Sequence, residues 1–261
     1  MKPDTNPCLI AVFGASNVTV SLPTIVSTAF RAQTPPSEIA VGHGPGRSYG
    51  TVAGCFLYSY PGLLKCGLLD HCRRFRQANP HAPIQVLLTD IGNDLALTGQ
   101  NRALHFWLDK LISRLEALNA RIMVSRLPVA SVTAMPRWKF NILRHIYFPF
   151  ADTGFDQIKT LVTETQTQLD AWAAAGRFTS LATEPHWYTI DHFHLAFFRR
   201  KRVFHNWLAQ LLGPIDPARR LGVSSLKLRL LPMKRYWRMR TRKYPASHSL
   251  ELDQNCHLFY Y

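Results

Sequence analysis

A chain of 261 residues with 47% hydrophobic side chains can build one α/β domain with an appendage, or at most two domains, and is not a disordered chain. Its 31 Lys and Arg against 16 Asp and Glu leave a formal net charge of +15, which attracts polyanions such as nucleic acid, an anionic lipid surface or an acidic partner but decides nothing about the fold. Five cysteines, Cys8, Cys55, Cys66, Cys72 and Cys256, form no C-x-x-C pair and no Cys/His metal spacing, so neither a disulfide framework nor a metal site is expected. Met1–Pro7 is polar and lacks a signal-peptide pattern, and no apolar run reaches the roughly 18 residues of a membrane span, so the expectation is a soluble chain in a reducing, cytoplasmic compartment.

The first predicted element is a buried strand over Leu9–Phe13, stopped by Gly14. Ser16 follows two residues past it, at the carboxyl end of a strand, where open α/β sheets bind ligands. Ser16 also suits a plain helix cap, because a helix is predicted next over Thr19–Ala32. A second short strand, Glu38–Val41, runs into the glycine-rich segment Gly42–Gly50, which lacks the Gly-Lys-Ser/Thr ending of a phosphate loop. Helical periodicity covers Leu63–Gln77, and Ile84–Thr89 reads as a central strand leading into Asp90-Ile91-Gly92-Asn93-Asp94.

Leu104, Leu108, Leu111, Leu115 and Leu118 mark an amphipathic helix over Arg102–Leu118. A fourth strand is predicted over Arg121–Leu127. The aromatic stretch Pro136–Phe150 reads as an irregular insertion, either a wall over a pocket or simply packed. A long helix over Phe155–Ala175, a fifth strand over Trp187–Ile190 and a helix over Leu195–Leu212 complete the alternation. Strands separated by helices of this length imply a parallel sheet with helices on both faces. The expected division is an α/β domain over residues 1–213 and a basic C-terminal extension over 214–261. Arg219, Arg220, Lys227, Arg229, Lys234, Arg235, Arg238, Arg240, Arg242 and Lys243 crowd the extension, with Tyr236, Trp237 and Tyr244 interleaved.

Four turns carry chemistry. Ser16 offers a hydroxyl, Gly46 an unobstructed backbone N–H, Asn93 an amide, and Asp191-x-x-His194 a carboxylate beside an imidazole. A serine hydroxyl is a weak nucleophile until a base takes its proton; His194 suits that task, with Asp191 holding its tautomer. The N–H groups of Ser16 and Gly46 and the Asn93 amide would face a developing oxyanion. His43, Gly44, Asp94 and His192 sit beside these groups and are candidates to line the pocket. Asp94 is the better fit to a turn-fixing role, Gly44 rivals Gly46 as the oxyanion donor, and His192 rivals His194 as the base. Asp90 reads as a strand-end charge.

The blocks Gly14-Ala15-Ser16-Asn17, Gly44-Pro45-Gly46-Arg47-Ser48, Ile91-Gly92-Asn93-Asp94 and Asp191-His192-Phe193-His194-Leu195 resemble, in that order, the four blocks of the SGNH (GDSL-like) hydrolase superfamily. The resemblance runs from about Leu9 to Leu212. It implies a flavodoxin-like three-layer α/β/α sandwich and hydrolysis of an ester or thioester, or acyl transfer, on a small-molecule substrate without cofactor or metal. It also implies the Ser16, His194 and Asp191 roles just given. The chain departs from the family pattern at Ala15, where the family has Asp, and at Ile91, where it has Gly. A second reading keeps the sandwich as a weak or inactive scaffold whose basic tail binds a polyanion, an anionic membrane or nucleic acid, with nucleic acid not obligatory.

Overall fold

The computed structural model describes residues 7–54, 59–147, 149, 151–231 and 248–261. Seven strands form one sheet: β1 (Leu9–Phe13), β2 (Glu38–Gly42), β3 (Ile84–Leu88), β4 (Arg121–Ser125), β5 (Thr179–Leu181), β6 (His248–Asp253) and β7 (Cys256–Tyr260). Their order is β5-β4-β3-β1-β2-β7-β6. All neighbours pair in parallel except β6, which runs antiparallel to β7. The first five strands thus take the doubly wound order 2-1-3-4-5, which brings a topological switch between β1 and β3.

The helices are α1 (Ser16–Phe30), α2 (Leu68–Ala78), α3 (Asn93–Thr98), α4 (Asn101–Glu116), α5 (Val129–Thr133), α6 (Arg137–Tyr147), α7 (Phe155–Ala174) and α8 (Phe197–Leu212). Alternation along β1 sorts the core into two layers, because successive strand side chains point to opposite faces. Leu9, Ala11 and Phe13 face α2, α4 and α7, meeting Phe75, Leu108, Leu111 and Leu161. Ile10 and Val12 face α1 and α8, meeting Leu22, Ile25, Phe204 and Leu211. A strand that must satisfy both layers has no polar position, which is why β1 is buried throughout.

Three expectations are corrected. The fifth strand is Thr179–Leu181, not Trp187–Ile190; Pro185–Trp187 instead forms a short 3₁₀ turn, and Tyr188 only bridges to Leu195. The helix expected over Leu63–Gln77 is interrupted, with a 3₁₀ turn at Leu63–Lys65 and α2 starting after Gly67 at φ 93°, a conformation that favours glycine. Residues 214–261 are not set apart from the sheet. Leu258 and Tyr260 of β7 enter the α1/α8 layer, with Leu228 and Leu231 of the helical stretch 225–231 beside them. Cys256, Leu258 and Tyr260 alternate inward at period two, a signal overshadowed by the basic run before it. Lys234, Arg235, Tyr236, Trp237, Arg238, Arg240, Arg242, Lys243 and Tyr244 of that run lie outside the described residues, as do Cys55, Phe148 and Phe150. Among the described residues no helix is long and apolar enough to cross a membrane.

Register places the site. Phe13 sits level with Gly42 of β2 and with Leu88 of β3, so the turns that follow these strands leave from one rim. The four sequence blocks reach that rim from positions up to 178 residues apart.

Candidate functional site

The nucleophile turn is built around a displaced cap. Helix α1 begins at Ser16, its N-cap is Ala15, and no side chain of its own turn caps it. The first N–H groups of any helix lack intrahelical acceptors. Here the carboxylate of Asp90, from the end of β3, accepts the Ala15 N–H at 2.7 Å and the Val18 N–H at 3.3 Å. A carboxylate at a helix N-terminus is also favoured by the helix dipole. The consequence is chemical: Ser16 does not have to cap α1, and its hydroxyl is available elsewhere.

It meets His194. Ser16 Oγ lies 3.0 Å from His194 Nε2, and His194 Nδ1 lies 2.7 Å from Asp191 Oδ2. A carboxylate can only accept, so Nδ1 donates to Asp191 and Nε2 is left with a lone pair toward the serine O–H. Asp191 is fixed in turn. Its Oδ1 accepts from the Thr189 hydroxyl at 2.5 Å and from the N–H groups of Phe193 at 3.0 Å and His194 at 2.9 Å. The Tyr147 hydroxyl, at the end of α6, donates to Asp191 Oδ2 at 3.3 Å, and its ring packs edge-on against His194.

The electrostatics follow from these contacts. Burial by itself would raise the Asp191 carboxyl, but the bonds from the His194 ring, the backbone and Thr189 outweigh it and hold the group well below the usual carboxylate range. Burial opposes protonation of His194, yet the bond and charge of Asp191, with the charge of Asp90, raise it above the ordinary imidazole value.

Asn17 ties the two ends of the chain together. Its amide donates to Asp90 at 2.8 Å and to the Phe193 carbonyl at 3.3 Å, while its oxygen accepts the Leu195 N–H at 2.8 Å. The two backbone anchors flank His194. Sequence reasoning passed over Asn17, Asp90 as a cap, Thr189 and Tyr147. The only local signal was the adjacency of Asn17 to Ser16, since the partners are remote in sequence.

Ser16, Gly46, Asn93 and His194 line one cavity of about 230 Å³. Gly46 adopts φ 65°, the left-handed region in which glycine is favoured. Asn93 Nδ2 reaches the Arg47 carbonyl at 3.3 Å, holding the amide against the glycine loop. The Ser16 N–H belongs to the unpaired first turn of α1. Beside these polar groups lie apolar ones, with Leu127 just before α5, Val132 on α5 and Ile158 and Val162 on α7, all deeply buried.

The four residues expected as possible pocket lining do not line this cavity. His43 is buried with Nδ1 3.1 Å from the Thr19 hydroxyl. Gly44 lies against the Tyr60 ring. His192 sits at φ 64° and meets the Ser131 hydroxyl at 3.1 Å, so it turns the loop rather than facing Ser16. Asp94 is fully buried and accepts from the Ser48 hydroxyl and, at 3.0 Å, from the Tyr49 N–H, joining the glycine loop to α3. Burial pushes its carboxyl up to about 6. The expected irregular insertion is instead helix α6, which brings Tyr147 to the site.

No protein-family model matches the chain, and no curated protein matches its sequence. Solved structures similar to it include a GDSL-like lipase from Bacteroides thetaiotaomicron VPI-5482, at 12% identity and TM-score 0.45, with 81% of this chain and 91% of that one covered. Another is a member of the lipolytic protein G-D-S-L family from Veillonella parvula DSM 2008, at 12% identity and TM-score 0.46, with 80% of this chain and 100% of that one covered.

Proposed function

We propose that this protein is a serine hydrolase that cleaves a carboxylic ester or thioester through an acyl-enzyme on Ser16. The observation that carries the reading is the continuous hydrogen-bonded line Asp191–His194–Ser16, whose Ser16 and His194 line a largely apolar cavity. Ser16 Oγ attacks the carbonyl carbon as its proton passes to His194 Nε2. Asp191 stabilises the imidazolium that results, without itself taking the proton. The oxyanion faces the Ser16 and Gly46 N–H groups and the Asn93 amide, and each such donor is typically worth a factor on the order of 10²–10³ in rate. The leaving alcohol or thiol takes the proton from Nε2. Water then gives a proton to Nε2 and attacks the acyl carbon, and the acid leaves as Nε2 returns that proton to Ser16 Oγ.

The apolar lining supports one arrangement of the two halves of the substrate. The group that remains on Ser16 suits the apolar lining of Leu127, Val132, Ile158 and Val162, because the alcohol must depart and water must enter past His194. A medium-length acyl chain is therefore the fitting occupant.

Replacing Ser16 with Ala tests the reading. Turnover of a p-nitrophenyl ester should fall by a factor on the order of 10³ or more, because the members of such a relay act as a unit. A fluorophosphonate should label Ser16 in the native chain. Undiminished turnover in the variant, or labelling at another residue, overturns the proposal and leaves the scaffold reading, with polyanion binding through the basic tail.

A further inference from the structure

The segments that bring Tyr147, Asp191 and His194 to the site are unusual in two ways. First, large apolar side chains stand in solvent there. Phe198 is 90% exposed and Ile190 82%, and Phe197 next to Phe198 is more than half exposed. Ile190 immediately precedes Asp191, and α8 opens three residues after His194. Trp138, Ile142 and Ile146 form an exposed stripe at four-residue steps along α6, the helix whose last residue, Tyr147, reaches Asp191. Phe140 is the one buried side chain of α6. Exposed apolar groups concentrated on the segments of one site mark a binding surface, whereas scattered ones mean nothing.

Second, cations accompany them. Arg199, Arg200, Lys201 and Arg202 occupy the first two turns of α8, and no Asp or Glu occurs between Phe193 and Leu212. The helix dipole disfavours cations at an N-terminus, so this placement works against the fold rather than for it. The Arg200 guanidinium already lies over the Phe197 ring, 4.5 Å from its centroid. On α6, Arg137, Lys139 and Arg144 alternate with the apolar stripe; Arg137 is ion-paired with Asp156, and Arg144 donates to the Ala151 carbonyl.

We infer that this rim docks on an anionic lipid surface, with Phe197, Phe198, Ile190 and the α6 stripe entering the headgroup layer and the α8 cations contacting lipid phosphates. An interfacial segment of this kind pairs an apolar face with Lys and Arg on its flanks, and both parts gain. Nucleic acid would satisfy the cations but leave Ile142, Ile146 and Ile190 without a partner, since aliphatic side chains offer bases no stacking face. A second copy of this chain would bring one basic patch against another on a molecule of net charge +15. Docking does not depend on Ser16. That docking presents a lipid ester to the cavity does rest on the proposed hydrolysis.

The test uses the full chain and sedimentation with vesicles of phosphatidylcholine alone or mixed with phosphatidylglycerol. Wild type should bind the anionic vesicles, and binding should weaken as salt rises. Phe198→Asp and Ile142→Asp should each reduce binding about tenfold, because each places a charge in the headgroup layer. Lys201→Glu with Arg202→Glu should reduce it about tenfold or more at low salt. Phe198→Asp should hydrolyse a short soluble ester at the wild-type rate, which certifies its fold. Ser16→Ala should bind vesicles as wild type does, so a failure of the hydrolase reading leaves the docking result intact. Vesicle binding that survives both Phe198→Asp and Ile142→Asp overturns the inference. So does a loss that follows replacement of Lys234, Arg235, Arg238 and Arg240 by Gln instead. Binding of RNA with none to anionic vesicles overturns it as well.

Discussion

Replacing Asn17 with Ala isolates the link between the two remote halves of the site. The side chain is nearly buried and makes three hydrogen bonds, two of them to the backbone on either side of His194. Its removal leaves the Leu195 N–H unpaired in a buried setting, at about 1–3 kcal/mol, and strips Asp90 of a donor worth about 1–3 kcal/mol more. A stability loss of about 2–6 kcal/mol should appear as a lower urea midpoint with an unchanged slope. The catalytic effect is separate. With both flanking anchors gone, His194 is no longer held 3.0 Å from Ser16 Oγ, and a displacement of about 1 Å typically costs on the order of 10² in rate. Under conditions where the variant is fully folded, kcat on p-nitrophenyl butyrate should fall by that order, while KM stays within about twofold because the polar groups of Asn17 are spent on Asp90 and on the backbone flanking His194. A variant that loses stability but keeps kcat would refute the positioning argument, since Asn17 would then be only structural.

Further outcomes follow from the same geometry. Activity of the wild type should fall as pH drops through a value above the ordinary imidazole pKa of about 6.5, because His194 must be neutral to act as base and Asp191 and Asp90 raise its pKa. Asp191→Asn should lower kcat by a factor on the order of 10⁴ and move that acid limb downward, as a pH–rate profile would show. Asp191 itself, held low in the fold, contributes stability that is present above its unfolded pKa and lost as pH falls through the depressed value. Asp94 has the opposite sign. Raised to about 6, it contributes stability below its unfolded pKa that is lost as pH rises through about 6. Against Asp94→Asn the wild type should therefore lose about 3 kcal/mol in urea titrations between acid and neutral pH, at about 1.4 kcal/mol per pKa unit. Val162→Phe, which fills the α7 side of the cavity, should lower turnover of p-nitrophenyl octanoate about tenfold relative to the acetate. An unchanged ratio would place the acyl chain elsewhere.

Much of this was legible from residue order. The strands β1, β3 and β4 are apolar runs and the helices α4 and α7 periodic stretches long enough to be read locally, and their alternation dictated a parallel sheet covered on both faces. Ser16, Gly46, Asn93 and the Asp191/His194 pair each stood out because a turn after a strand held a residue type that chemistry can use. What the chain order could not contain was anything decided by two remote segments at once. Whether Ser16 caps α1 or turns to His194 depends on Asp90 arriving from β3 to take over the cap. His43, Asp94 and His192 are polar residues beside glycine or catalytic blocks, and only the packing showed that Thr19, Ser48 with Tyr49, and Ser131 already engage them. The end of the chain looked detached because charge density is a local property. Its last strands join the sheet because β2 presented an open parallel edge, and an unpaired edge is filled by whatever segment alternates in register with it. Local sequence sets what each segment is able to form, and burial and hydrogen-bond satisfaction over the whole molecule select which of those options it takes.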